Sequence, residues 1–476
     1  MTGDSLEAQK ESLRPFEDAE AALVRSVVST APWLSDAQEG ALRYALNLAR
    51  VGLVRTPDGG DVDLAPVLLP FRDEVLAAVP ALTGPDGPDR PAAVRLAGTL
   101  GPRAAAFRAR AVAVSDGRLS PDALDREVCE KALVVVCGGG GAVAWSYLAA
   151  FQLLDQYGLV PRLLGGTSMG AALALFRARR VRWHPEDLAA VQAGLSWRSV
   201  FRFLQSDSRY GLPAAMRLYL RAALGEYLKG PDGHPLTLGQ LAVPLVVAVT
   251  GVRNGALPRD PAYYEHLLDF AGREGRPNLL SRMATEVFGA VGELMLQRDR
   301  FARVYLGGDE ETRDFDAIDA VGFSSALPGV IHYDVLRDDP RMQQLLDGLF
   351  QRHDLTRMCD GGVIDNVPVR TAWRHVQRAG LAGSGSRNIV TLALDCFAPR
   401  LTTPLWLPIS SIAAPSVARN RPYAHVYKAF SRTLSPLEIL PGPRSLESIL
   451  ASAKSELLGE LPVLQRLLEP IPALPG

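Results

Sequence analysis

The five residues Gly166-Thr167-Ser168-Met169-Gly170 have the form G-x-S-x-G and lie between an apolar run and a helical stretch, MGAALALFRARR. That form suits a serine held at a very tight strand-to-helix turn. Such a turn strains the serine backbone, and side chains two residues before and after it would collide with the strand and the helix. Gly166 and Gly170 remove those side chains, so Ser168 stands clear at the carboxyl edge of a sheet. A helix N-terminus beneath the serine favours developing negative charge. The chemistry this points to is nucleophilic attack on a carbonyl. Three fixed small residues in five also recur by chance, so the motif needs companions.

Three other segments are candidates. Gly138 to Gly141 form an unbroken glycine run between a strand-like and a helix-like stretch. No Lys-Ser or Lys-Thr follows and the G-x-G-x-x-G spacing is not met, so a nucleotide loop is disfavoured. Four glycines cost much chain entropy for a turn that could use two. That cost suits a loop whose amides lie open to a ligand, as in an oxyanion hole. The segment CDGGVIDNVPV places Asp360 before Gly361 and Gly362, and GFSSALPGV spans 322–330. Alone, each of these reads as a turn.

The order of the four segments carries more than any one of them. Strand–GGGG–helix, then GTSMG, then SSALPG, then DGGVIDNVP resembles the patatin-like phospholipases, or patatin-like acyl hydrolases, over roughly residues 131–396. The stretch TLGQLAVPLVVAVTGVRNG (237–255) also resembles that family. The resemblance implies a Ser–Asp dyad with no histidine: Ser168 as nucleophile, Asp360 as base, and the amides of Gly139, Gly140 and Gly141 as the oxyanion hole. It implies no cofactor and no metal. A free aspartate is a weak base at neutral pH, so a water-poor cleft would have to raise its pKa. One departure stands out: the family loop reads G-G-G-x-R-G or close to it, and here Val143 and Ala144 occupy the basic and last glycine positions.

These motifs need elements to position them. ALVVVC (132–137), RLLGG, PLVVAVTG (244–251) and NIVTLALDC (388–396) read as strands of the buried parallel kind, alternating with helices. The expected fold class is α/β, a patatin-like three-layer domain with a mostly parallel central sheet, preceded by an all-helical N-terminal domain. Residues 1–128 read as that helical accessory region, with a capping box opening at Ser35 and Gln38. Residues 129–400 read as the acyl hydrolase domain, with 181–235 as a helical cap and 256–315 as an insertion. Residues 401–476 read as a C-terminal extension, in which PLWLP (404–408) is Pro-rich.

Composition limits the alternatives. Across 476 residues, 51 basic side chains face 52 acidic ones, and 47% of residues are hydrophobic. This is the balance of a globular chain with no global charge for nucleic acid. The four cysteines, Cys129, Cys137, Cys359 and Cys396, form no C-x-x-C pair, so neither a disulfide framework nor a zinc site is expected. The N-terminal residues lack a signal-peptide pattern and no run is long enough to span a bilayer, which points to the cytoplasm with peripheral membrane contact. The expected activity is hydrolysis of lipid carboxylic esters, of phospholipase A or lysophospholipase type. A Ser-His-Asp hydrolase using His375 or His425 is one alternative. A catalytically inert lipid-binding or interaction protein of the same fold is another.

Overall fold

A computed structural model describes residues 3–184, 186, 197–203, 208–255, 300–335, 338–396, 407–431, 434 and 441–474. The chain forms two compact units: Met1–Val134 with Trp373–Thr391 and Leu457–Gly476, and Val135–Ala372 with Leu392–Glu456.

The first unit is built on α1 (Gly3–Ser29), α2 (Asp36–Arg50), α3 (Ala65–Leu82), α4 (Arg90–Ala113) and α5 (Pro121–Cys129). The capping box forms: Ser35 Oγ accepts from the Gln38 N–H at 3.2 Å, and Gln38 Oε1 accepts from the Ser35 N–H at 3.0 Å. Leu42, Leu46, Leu48, Phe71 and Phe107 lie in one apolar core. This region is not all helical. β1 (Leu53–Arg55) and β2 (Asp61–Asp63) pair antiparallel, because turn residues at 57–60 separate two short stretches that each bury their central valine.

In the rest of the chain the strands are β3 (Ala132–Cys137), β4 (Pro161–Thr167), β5 (Phe201–Phe203), β6 (Ala214–Leu218), β7 (Leu245–Arg253), β8 (Phe301–Leu306), β9 (Gly329–His332), β10 (Leu355–Asp360), β11 (Ile389–Asp395) and β12 (Val426–Ala429). The helices that matter for the site are α6 (Tyr147–Gln156), α7 (Met169–Ala178), α8 (Leu220–Leu224), α9 (Ala317–Ser324), α10 (Pro340–His353) and α11 (Leu407–Asn420). A seven-stranded sheet runs β10-β7-β4-β3-β11-β12, with β8 also paired to β7. The fold is α/β with a mixed, mostly parallel sheet: β4 and β12 lie parallel to β7 and β11, while β8 and β10 run antiparallel to β7.

The register on β7 fixes where the chemistry sits. Thr167, the last residue of β4, pairs with Ala248, and Asp360, the last residue of β10, pairs with Val249. β8 pairs with both Ala248 and Val249 and so occupies the other side of β7. β4 and β10 therefore run toward each other along one edge of β7 and end on adjacent residues. Ser168 follows immediately from one strand, and Asp360 closes the other.

The segment 181–235 is not a simple helical cap. Its described residues include β5 and β6, which join β9 in a three-stranded sheet of order β5-β6-β9. Pairing with β9 overrides the local helical tendency. Of 256–315, residues 256–299 lie outside the described residues, and β8 follows them. In the tail, PLWLP runs from outside the described residues into the start of α11, and β12 adds a strand beside β11.

The meeting of β4 and β10 leaves no room for a side chain at Gly361, where a Cβ would lie 2.1 Å from the Ala248 carbonyl oxygen. Gly361→Ala is expected to lower the thermal midpoint by several degrees, corresponding to ~1–3 kcal/mol of overpacking. Differential scanning fluorimetry against wild type measures it, and an unchanged midpoint refutes the close approach.

Candidate active site

Ser168 sits between β4 and α7 with φ 53° and ψ −133°. A positive φ at a non-glycine residue stores strain that neighbouring contacts must hold. The elbow glycines lie where the turn is most crowded. Gly166 packs on Ala171, and a Cβ on Gly170 would lie 2.3 Å from the Gly138 carbonyl oxygen. The first turn of α7 thus rests on the glycine run.

The turn is held from α9. The Ser168 N–H donates to Ser324 Oγ at 2.8 Å, and Ser324 Oγ–H donates to the Ala248 carbonyl at 2.6 Å. Two residues on, the Ala326 carbonyl accepts from the Asp360 N–H at 2.9 Å. One short segment, 324–326, therefore sets the backbones of both Ser168 and Asp360. Thr250 Oγ1 adds a bond to the Asp360 carbonyl at 2.8 Å. Sequence reasoning treated SSALPG only as a turn and a family mark. Its hydroxyl at Ser324 gave no local sign that it reaches the nucleophile backbone.

Asp360 is buried, at 6% exposure, and the Ser168 side chain is close enough to its carboxylate to act on its pKa. Burial pushes its pKa up to about 6; the nearby Ser168 hydroxyl and the hydrogen bond from the Gly362 N–H, at 2.7 Å, oppose that rise. Burial disfavours the charged form of a carboxyl group, so a stronger base results. Ser168 itself is partly exposed and opens onto a cavity of about 120 Å³. Trp145, Leu173, Phe176, Leu220, Leu224 and Ile331 form much of its wall, and among the described residues Ser168 and Ser325 bring hydroxyl groups to it. Neither His375 nor His425 lines this cavity.

The glycine run lies against this pair. Gly139 packs on Ser168, whose Cβ would be 3.1 Å from a Cβ at that glycine. Its N–H, however, already donates to the Asn366 carbonyl at 3.0 Å. In this geometry the Gly139 amide is engaged in holding the loop. The Gly140 and Gly141 N–H groups have no hydrogen-bond partner among the described residues, both glycines are partly exposed, and Gly141 lines the cavity. Val143 and Ala144, at the positions where the resemblance expects a basic residue and a glycine, are buried at 2% and 0% exposure.

The second half of the Asp-Gly-Gly segment braces this loop from below. Asp365 accepts from Tyr305 Oη at 2.8 Å and Asn420 Nδ2 at 2.7 Å, and its carbonyl accepts from Thr167 Oγ1 at 3.0 Å. The Asn366 N–H donates to Ser416 Oγ at 3.0 Å. Ser416 and Asn420 belong to α11, so the tail contributes directly to the floor of the site.

The raised pKa of Asp360 has a consequence for stability. The folded protein holds the proton more tightly than an unfolded chain, whose carboxyl titrates near 3.8. The stabilisation from the protonated form is full below that value and is lost as pH rises through about 6. At pH 8 Asp360→Asn should therefore melt higher than wild type, by an amount on the order of 2–3 kcal/mol. At pH 4 the difference should shrink, and thermal melts at both pH values measure it.

A family model described as Patatin-like phospholipase matches residues 135–373. A search of curated proteins found no match. The matched stretch is half the chain and contains the glycine run, Ser168, the Ser324–Ala326 segment and Asp360; the chain belongs to the patatin-like phospholipase family.

Proposed function

We propose that this protein is a serine acyl hydrolase that cleaves lipid carboxylic esters through a Ser168–Asp360 dyad. The observation that carries the reading is the Ser168 hydroxyl on the wall of an apolar cavity with the buried Asp360 carboxylate beside it. Asp360 takes the Ser168 proton as Oγ attacks the ester carbonyl. The oxyanion forms beside the Gly140 and Gly141 amides. Asp360 then returns the proton to the leaving alcohol, an acyl-enzyme remains, and water releases the acid with Asp360 again as base. The apolar wall suits an acyl chain, and a phospholipid or lysophospholipid presents this same bond, with the protein meeting lipid from the water side. Among the described residues no helix is long and apolar enough to cross a membrane.

Two alternatives are distinguished by the same assays. The Ser-His-Asp reading needs a histidine at the serine, and among the described residues the cavity is lined by none. The inert-scaffold reading is motivated by Val143 and Ala144. Neither side chain supplies a cation to the loop, but valine and alanine keep their backbone N–H groups.

A fluorophosphonate probe should label wild type at Ser168 and leave Ser168→Ala unlabelled. Hydrolysis of p-nitrophenyl butyrate should vanish in Ser168→Ala and fall by at least ~10³ in Asp360→Asn. No labelling of a folded wild type would establish the scaffold reading instead. Because the base must be ionised, kcat/KM should rise with pH through about 6 and then level off. A pH–rate profile flat from 5 to 8 rules out Asp360 as the base. Ser324→Ala should lower kcat by ~10–100-fold with KM little changed, because it loosens the nucleophile without touching the cavity. Steady-state kinetics of the folded variant measures that split.

A further inference from the structure

We propose that Arg221 sets the acyl-chain selectivity of the cavity by latching its α8 wall onto the helix that holds the nucleophile. The inference rests on the reading of the cavity as an acyl-chain site. Leu220 and Leu224 are four residues apart on α8 and both line the cavity. Arg221 lies between them in sequence, and its guanidinium is engaged elsewhere. Its Nε donates to Asp319 Oδ1 at 2.8 Å, and its Nη2 donates to Asp316 Oδ2 at 2.6 Å and Asp339 Oδ2 at 3.0 Å. A further bond joins Nη2 to the other oxygen of Asp319.

The receiving cluster is built and buried. Asp316 precedes α9 and Asp319 lies in its first turn, and both are fully buried. Asp339 caps α10 by accepting from the Met342 N–H at 3.0 Å. Tyr333 Oη donates to Asp319 at 2.5 Å, and its ring packs on Gly322 of α9. Arg341 makes a second ion pair with Asp316. The three carboxylates have oxygens within 4.8 Å of one another, close enough to hold a cation, and the Arg221 guanidinium is that cation. Its planar fork reaches all three, which a lysine ammonium on a flexible stem does not reproduce.

α9 is the shared reference. Its first turn receives Arg221, and its last residue, Ser324, accepts the Ser168 N–H. The cavity wall and the nucleophile are thus fixed to the two ends of one eight-residue helix. Loosening the latch changes where Leu220 and Leu224 stand relative to Ser168. A short acyl group does not depend on that wall, and a long one does.

The test compares wild type, Arg221→Lys and Asp339→Asn. Turnover of p-nitrophenyl butyrate, octanoate, dodecanoate and hexadecanoate is measured for each. Sodium octanoate, dodecanoate and hexadecanoate are titrated separately, followed by the fluorescence of Trp145 and Trp183, which line the cavity. In Arg221→Lys the ratio of dodecanoate to butyrate kcat/KM should fall by about tenfold or more, with butyrate changed less than about threefold. The bound-chain preference should shift in parallel, and Asp339→Asn should fall between. An unchanged chain-length profile in both folded variants overturns the proposal, as does an equal loss at every length. Should Arg221→Lys fail to fold, Asp339→Asn decides. A wild type that binds fatty acids yet neither turns over esters nor takes the fluorophosphonate sinks the hydrolase reading. The binding shift in the variants then still decides the latch.

Discussion

Two strands that run head-on along one edge of β7 are the constraint on which the site depends. β4 is parallel to β7 and β10 antiparallel, and they stop at Ala248 and Val249. No loop has to fold back to bring Ser168 to Asp360. Their proximity is a property of hydrogen-bond register, the most rigid relation a sheet offers. The arrangement also explains why small residues crowd this point. Where two strand ends and a helix start share a few ångströms, Gly361 and Gly170 lie against carbonyl oxygens that no side chain could approach. The segment 324–326 then ties both strand ends to one helix, by a hydroxyl at one residue and a carbonyl two residues later.

The same crowding produces the electrostatics. Asp360 is excluded from water because β7, β10 and the 324–326 segment close around it. That exclusion makes its carboxylate a better base and also makes its ionised form costly to fold. The proposed reactivity and the local instability are one effect seen twice. Opposite it, the described residues of the cavity wall carry no charge, and Ser168 and Gly141 are among them.

Much of this was legible in the sequence, and for definite reasons. β3, β4, β7 and β11 are largely apolar runs, because strands covered on both faces bury nearly every position. The G-x-S-x-G and Asp-Gly-Gly turns are local steric solutions, so they leave local traces. β8 and β10 were not legible: FARVYL and LTRMCD carry charged residues on partly exposed positions, and their antiparallel pairing is a tertiary matter. The strands within 181–235 were hidden for the same reason, since β6 is completed by β9 more than a hundred residues later. The bond of the Gly139 amide left no trace because its partner, the Asn366 carbonyl, is a backbone atom that any residue could supply. Arg221 had no signal at all, its three carboxylates lying near 316, 319 and 339.

The dependence of the loop on α11 bears on the order in which the molecule is made. Asn366 and Asp365 take hydrogen bonds with Ser416 and Asn420, and the Asn366 carbonyl in turn holds the Gly139 amide. A chain emerging from the ribosome presents its serine and its aspartate well before those two helix residues exist. During that interval the brace beneath the glycine loop is absent. Until α11 has been synthesised, that loop is left without its support.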